Sequence, residues 1–431
     1  MYLGLKAGTE GMKALLIDVQ RGCIVSDTTV NYGTDLPLYL SPKGSLPSKD
    51  PLVRETDPLM WLDALDLILK RLAARGVDLS GISAVSGSGQ PHSAVFLNAG
   101  FDEALDHLDS RRTLSAQLSG TLSRLTSPNK LDASTTEACR ELTARFGRGM
   151  QETTGSTATE CFTGPQIRKF AQACPSGYAA TARIHLAGSF LCSVLCGKSA
   201  PVDYGDGAGM NLLNLHTLAW DEAITSFTAP NLIERLPPTV PASTVVGGLS
   251  PYFAQYGLEP GVPVVVWSGD APDSLVGSGA SQPGTAVFLP GLVTTFLAAM
   301  ASYSIDPAGD GHVFGNPIGG FMGQMDFPTG AFGREGDRSV WESQVRVIRS
   351  RVAWMGRSFE KMRIPENAGF PPPLVQLLAD VFQTPVERIC GPDAAALGSA
   401  MRAAVGMGGS AYPELDALFC RKISVSSPHT C

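Results

Sequence analysis

The sequence predicts an α/β protein built in two halves, and three observations carry that expectation. Two short apolar runs, Ile82 to Val85 and Val262 to Trp267, each lead into a polar glycine-rich loop, 86–92 and 268–272. Ahead of both, Leu62, Leu65, Ile68, Leu69 and Leu72 recur at helical spacing. The segment Leu236-Pro237-Pro238-Thr239-Val240-Pro241 then divides the chain into residues 1–238 and 239–431. In open α/β sheets the loops at the carboxyl ends of the strands face the ligand crevice, so both glycine-rich loops are expected at one cleft.

The first element is a hairpin. Two apolar runs, 2–5 and 12–17, flank a turn holding Gly8, Thr9 and Gly11. Asp57 and Pro58 open a helix as N-cap and first helical residue, and Gly76 can close it in the left-handed conformation. A mostly helical stretch runs from Ser134 to about Ile224, interrupted by a glycine-rich acidic insert around Asp203 to Gly209. Beyond the Pro-rich segment the pattern predicts strand, helix, a long amphipathic helix from about Val340 to Lys361, a loop and two further helices. Ser424 to Cys431 reads as a frayed tail.

Composition narrows the function classes. Of 431 residues, 44% are hydrophobic and 17% charged, which excludes extensive disorder. A net charge of −7 and 7% aromatic residues argue against nucleic acid as a partner. Residues 274–305 carry no charge, but Pro283, Pro290 and several Gly and Ser break the stretch into short pieces. Buried strands are expected there, with no membrane partner. Nine cysteines without a regular framework predict reduced thiols, and no signal peptide is read at the N-terminus, so a cytoplasmic location is expected. Cys192 and Cys196 share a helix face and read as core residues.

Three groups of residues carry candidate chemistry. The turn Lys6-Ala7-Gly8-Thr9-Glu10-Gly11 can present backbone N–H groups to a phosphate, or can be only a turn. Asp270 follows an apolar strand and precedes a helix, where catalytic carboxylates lie in α/β proteins and where plain N-caps lie too. His92 ends the first glycine-rich loop, a lone histidine that reads on its own as a hydrogen-bonding residue. The other five histidines form no ligand spacing, so no metal site is assigned.

In order along the chain, Gly89-Gln90-Pro91-His92, Ser134-Thr135-Thr136, Phe162-Thr163-Gly164-Pro165-Gln166-Ile167, residues 201–213 (PVDYGDGAGMNLL) and Leu378-Ala379-Asp380-Val381-Phe382 resemble the FGGY carbohydrate kinase family, in its eukaryotic-type xylulokinase branch. The resemblance runs from residue 2 to about 405. It implies two actin-like, ribonuclease H-like ATPase domains with a sugar and ATP in the cleft between them. It further implies ATP-dependent phosphorylation of a ketopentose, D-xylulose, with Mg²⁺ as the accompanying ion, and allows a homodimer. Asp270 would be the catalytic base; Gln90, His92, Asp132 and Asp270 would contact sugar; Gly8, Thr9, Gly291 and Trp341 would contact the nucleotide.

Several positions depart from the family pattern. Lys6 stands where the first phosphate loop begins with an aspartate that helps hold Mg²⁺, Ala271 replaces the asparagine after the base, and Cys161 replaces an arginine. The second phosphate loop reads Leu289-Pro290-Gly291-Leu292, and proline has no N–H to donate. Glu366-Asn367-Ala368, followed by Gly369 and a Pro run, stands where a Gly-Gly-Ala segment admits the adenosine, and the segment before the long helix is short. Three readings stay open at this point: an ATP-dependent pentulose kinase, a pseudokinase that binds sugar or a partner without turnover, and a different actin-like ATPase.

Overall fold

A computed structural model of the chain describes residues 1–290, 293–328 and 338–429. Two seven-stranded mixed sheets organise it. The first holds β1 (Tyr2–Ala7), β2 (Gly11–Asp18), β3 (Cys23–Asn31), β4 (Ala84–Gly89), β5 (Val245–Gly248), β6 (Pro263–Val265) and β7 (Ser268–Gly269). Its order is β5-β6-β4-β1-β2-β3, with β7 also pairing β4. The second holds β8 (Thr285–Leu289), β9 (Val293–Met300), β10 (His312–Gly315), β11 (Phe321–Pro328), β12 (Lys361–Pro365), β13 (Val386–Ile389) and β14 (Lys422–Ser426), in the order β10-β11-β9-β8-β12-β13-β14. Each sheet repeats one path: an antiparallel run outward from its first strand, then parallel strands on that strand's other side.

Six helices matter to the site: α1 (Pro58–Ala74), α2 (Ala187–Cys196), α3 (Asp270–Gly277), α4 (Arg338–Val352), α5 (Pro372–Phe382) and α6 (Ala394–Gly406). The expected start of α1 is observed, with the Asp57 carboxylate accepting from Leu59 N at 2.9 Å and Pro58 in the first turn. Its apolar face, with Trp61, Leu65, Ile68, Leu69 and Leu72, packs with Leu3, Leu5, Leu16 and the α2 residues Phe190 and Leu191 into the first core. The second core joins Val287, Phe288, Phe296 and Met362 to Val345 and Ile348 of α4 and Leu374 and Leu378 of α5. Helix α6 does not stay with the second sheet. Leu397, Ala400 and Met401 pack against Leu15, Ile17 and Val276, so this helix returns to the first sheet before β14 rejoins the second.

The close approach of α3 and α6 has a direct sequence cause. A Cβ at Gly277 would strike the Ala394 carbonyl, and one at Gly398 would strike the Asp273 carbonyl. Only glycine lets the two backbones come so near. The contacts run in opposite senses: Ala394, the first residue of α6, meets Gly277, the last of α3, and Gly398 meets Asp273, one turn after Asp270.

The structure revises several expectations. The Pro-rich segment 236–241 does not separate the two sheets, because β5, β6 and β7 all follow it and join the first sheet. Residues 86–89, expected as loop, are strand, and their small side chains reflect packing: a Cβ at Gly87 would run into the Trp267 indole. The long helix ends at Val352; Ala353–Met355 form a 3₁₀ turn, and strand β12, paired in parallel with β8, begins at Lys361, where the helix was expected to end. The frayed tail is in part β14, paired with β13. The uncharged stretch does form buried strands, β8 and β9, after α3 ends at Gly277. Among the described residues no helix is long and apolar enough to cross a membrane.

Candidate active site

A cavity of about 330 Å³ lies between the two sheets. Pro91, His92 and the segment Gly269–Pro272 form its first-sheet wall, while Thr295, His312, Gln324 and Asp326 form its second-sheet wall. Lys130, Leu131, Cys161, Phe162 and Asp206 close it between them. The two glycine-rich segments therefore meet at one cleft, as the sequence predicts. A second cavity of about 410 Å³, beside Arg346, Arg349 and Arg357 on and after α4, shares none of these residues.

Asp270 is the first residue of α3, and the N-cap is Gly269, so the carboxylate is not a capping group. The residue is half-buried, and its buried Oδ1 has no hydrogen-bond partner within the protein. Burial raises its pKa; the ammonium groups of Lys6 and Lys130 oppose that rise. A half-buried carboxylate at a helix N-terminus, with one oxygen unpartnered and its pKa raised, is suited to accept a proton from a bound hydroxyl.

His92 is held for a different task. Its Nδ1 lies 2.7 Å from the Gly209 carbonyl, an acceptor only, so Nδ1 carries the proton and Nε2 is left as an acceptor. Burial lowers its pKa to about 3, which keeps the ring neutral. The imidazole stacks on Phe162 at 4.1 Å, and its backbone sits at φ 64°. Positive φ outside glycine is strained and tends to mark functional positions. Gln90 is buried two residues before it, with neither amide atom partnered in the protein.

The second-sheet wall had no sequence signal strong enough to reveal it. Asp326 accepts from Thr295 Oγ1 at 2.6 Å and from Gln324 Nε2 at 3.1 Å. His312, 3.2 Å from Ser156 Oγ through Nδ1, has its pKa lowered by burial. Asp206 lies in the recognised 201–213 segment, and burial together with Asp203, Asp270 and Asp273 pushes its carboxyl well above the usual range. The Cys161 thiol is pushed up to about 12 by burial and stays protonated.

Other expected site residues fall elsewhere. Asp132 does not line the cavity; its carboxylate accepts from Arg54 N at 2.8 Å, Ser134 N at 3.0 Å and Gln166 Nε2 at 2.7 Å. Its neighbours Lys130 and Leu131 face the cavity instead. Trp341 is buried in the second core rather than at the cavity. Gly8 spends its N–H on Gly11 O at 2.9 Å, which leaves that donor unavailable to a phosphate, and Thr9 is half-buried in the same turn. Gly291 lies outside the described residues. Asp132→Ala is expected to remove the acceptor of four donors, Ser134 Oγ at 2.5 Å among them, and cost about 2–4 kcal/mol of stability while leaving sugar affinity within about twofold. Thermal unfolding and sugar titration check this; unchanged stability with a large loss of sugar affinity would return Asp132 to the sugar site.

The carboxylates present do not suit Mg²⁺. Among the described residues, no group of three or more His, Cys, Asp or Glu side chains converges to hold a metal ion. Mg²⁺ takes carboxylate and phosphate oxygens with water. Here Asp393 is bound by two lysines, Asp206 is held toward its protonated form, and Asp270 faces Lys6.

Two sheets of one repeated path around a polar cleft define a two-domain actin-like fold. Solved structures of that fold match the whole chain. A xylulose kinase from Rhodospirillum rubrum superposes with a TM-score of 0.82 at 18% identity, covering 99% of this chain and 94% of that one. A glycerol kinase from Plasmodium falciparum, solved with ADP, gives 0.80 at 15% identity, covering 99% and 93%. The profile of the FGGY family of carbohydrate kinases, N-terminal domain, matches residues 126–277. Xylulose kinase of Mus musculus is 36% identical over 382 residues, 85% of this chain and 69% of that protein. Xylulose kinase 2 of Arabidopsis thaliana is 38% identical over 322 residues, 74% of this chain and 57% of that protein. The chain belongs to the FGGY family of carbohydrate kinases. It aligns over 57–69% of the length of the curated plant, rat and mouse relatives.

Proposed function

We propose that the chain transfers the γ-phosphoryl group of ATP to D-xylulose, giving D-xylulose 5-phosphate and ADP. The observation that carries the reading is Asp270, a carboxylate whose buried Oδ1 has no hydrogen-bond partner, lining the cavity opposite the second sheet. In this reading Asp270 takes the proton of the attacking sugar hydroxyl as the new O–P bond forms and the bond to the β–γ bridging oxygen breaks, with ADP as leaving group. His92 Nε2 accepts from a sugar hydroxyl, and Phe162 gives an apolar floor to the sugar ring. The names of the relatives supply the substrate and support the choice of ATP as donor. The reading carries with it a cytosolic location. No specific observation favours a sugar-binding chain without turnover.

The test is ADP formation with and without D-xylulose, with the product identified by phosphorus NMR. Phosphorylation of D-xylulose well above that of other pentuloses and glycerol supports the reading. ADP formation that ignores the sugar, or none at all, overturns it.

A further inference from the structure

Beside the cleft, next to Asp270 but outside the lining of the 330 Å³ cavity, lies a cluster that the proposed reaction has not used. Lys6 and Lys13 face each other across the β1–β2 ladder. Like charges directly opposed on a sheet are unfavourable, so the pair needs a partner or a ligand. Asp393 supplies half of one. A single oxygen, Oδ2, lies 3.2 Å from Lys6 Nζ and 2.8 Å from Lys13 Nζ. Its other oxygen, Oδ1, caps α6 at Ala396 N. Two ammonium groups on one carboxylate leave a surplus positive charge at the start of a thirteen-residue helix, whose terminus adds to it.

The surplus faces the site. Lys6 does not extend into solvent: its side chain is 21% exposed, it packs beside Gly8, and Asp270 is one of the charges acting on it. Burial works against the Lys6 ammonium, but Asp270 and Asp393 outweigh it and raise its pKa, so the lysine stays charged. Of the carboxylates here, Asp393 is taken by two lysines and Asp270 lies in the field of Lys6.

We propose that Lys6 and Lys13, anchored on Asp393, stand in for the divalent cation at the phosphate end of the cleft, so that the chain binds the phosphates of a nucleoside triphosphate directly and without Mg²⁺. The proposal rests on the kinase reading above and deepens it. Each ammonium offers point-charge donors to phosphate oxygens. A nucleotide already neutralised by Mg²⁺ brings less negative charge to the two ammonium groups, so added Mg²⁺ weakens binding rather than enabling it.

The experiment is calorimetric titration of the β,γ-imido analogue of ATP into the full chain saturated with D-xylulose, in EDTA and in excess Mg²⁺. Expected are binding in EDTA at least as tight as in Mg²⁺, and steep weakening with salt. Lys6→Gln should weaken metal-free binding about tenfold or more, as loss of a charge-assisted hydrogen bond does. Lys13→Gln, at a more exposed side chain that the fold does not need, should weaken it by a smaller factor. Lys6→Asp should reverse the order, with Mg²⁺ now tightening binding. Nucleotide binding that requires Mg²⁺ in the wild type, or that ignores both glutamine variants, overturns the proposal and leaves the kinase reading standing. Absence of nucleotide binding under both conditions, with the sugar still bound, overturns the kinase reading itself.

Discussion

Asp270→Asn is expected to lower kcat by ~10²–10⁴ while the protein stays folded, the range for removal of a general base. The exchange keeps the side chain's volume and one carbonyl oxygen, and it removes the only feature that matters to the proposed step, a site for the proton. Asp270 Oδ1 holds no hydrogen bond to lose. Lys6 keeps its other partner, Asp393, so no cation is orphaned by the change. Because burial disfavours the carboxylate, stability should hold or rise slightly. The KM for sugar should move far less than kcat, since an amide still fills the same space. The wild-type pH profile gives an independent reading. A base must be deprotonated, so kcat falls as pH drops through its pKa. Burial lifts that pKa, and the acid limb should lie above the ordinary aspartate range. Unchanged turnover in the variant, or an acid limb that survives the substitution, would remove Asp270 from the reaction.

The contrast between Asp270 and Asp132 shows what a sequence can carry. Asp270 was legible because its neighbours impose its place: an apolar parallel strand before it, a helix after it, and a topology that aims such positions at a cleft. Asp132 occupies an equally polar segment, yet its fate depends on Arg54 and Gln166, which are distant in sequence and reach it only through the fold. The second-sheet wall was hidden for a related reason. His312 and Asp326 sit on antiparallel strands β10 and β11, where one face is core and the other is cavity. Alternation along a strand distinguishes two faces but does not say which is wet and which binds. Strand β4 was misread because close packing against Trp267 demands glycine and serine, the residues that also make loops. The return of α6 to the first sheet left no local mark at all, since a helix burying alanine and leucine looks the same on either partner. Lys6 was legible as an anomaly, and only the fold shows that it faces Asp270 and shares Asp393 with Lys13.

Asp273→Ala is expected to be among the most destabilising single changes in the chain, about 3–5 kcal/mol, the cost of leaving a buried charge without its partner. Asp273 on α3 and Arg402 on α6 are fully buried, with Nη1 3.0 Å from Oδ1. Ser399 Oγ completes the carboxylate at 2.6 Å. Arg402 also reaches past the pair: its Nη2 donates to Ala242 O at 2.9 Å and to Val266 O at 2.5 Å. One guanidinium therefore ties α3, α6 and the end of the β6 strand together. Burial pushes the Asp273 pKa up to about 7 against the pull of Arg402, so the carboxyl can shed its charge if the arginine is removed. Arginine has no such escape, because it does not deprotonate in proteins. The two single variants should accordingly be unequal, with Asp273→Ala worse than Arg402→Met. Combining Asp273→Leu with Arg402→Met should recover part of the loss, since an apolar pair needs no compensation for buried charge. Activity should fall with stability, because Asp273 lies one helical turn after Asp270 and its anchoring sets where the base points. Urea denaturation midpoints and kcat for the three variants decide the matter. A midpoint for Asp273→Ala equal to the wild type's, or a double variant as unstable as the sum of the singles, would show that the pair does not hold the catalytic turn in place.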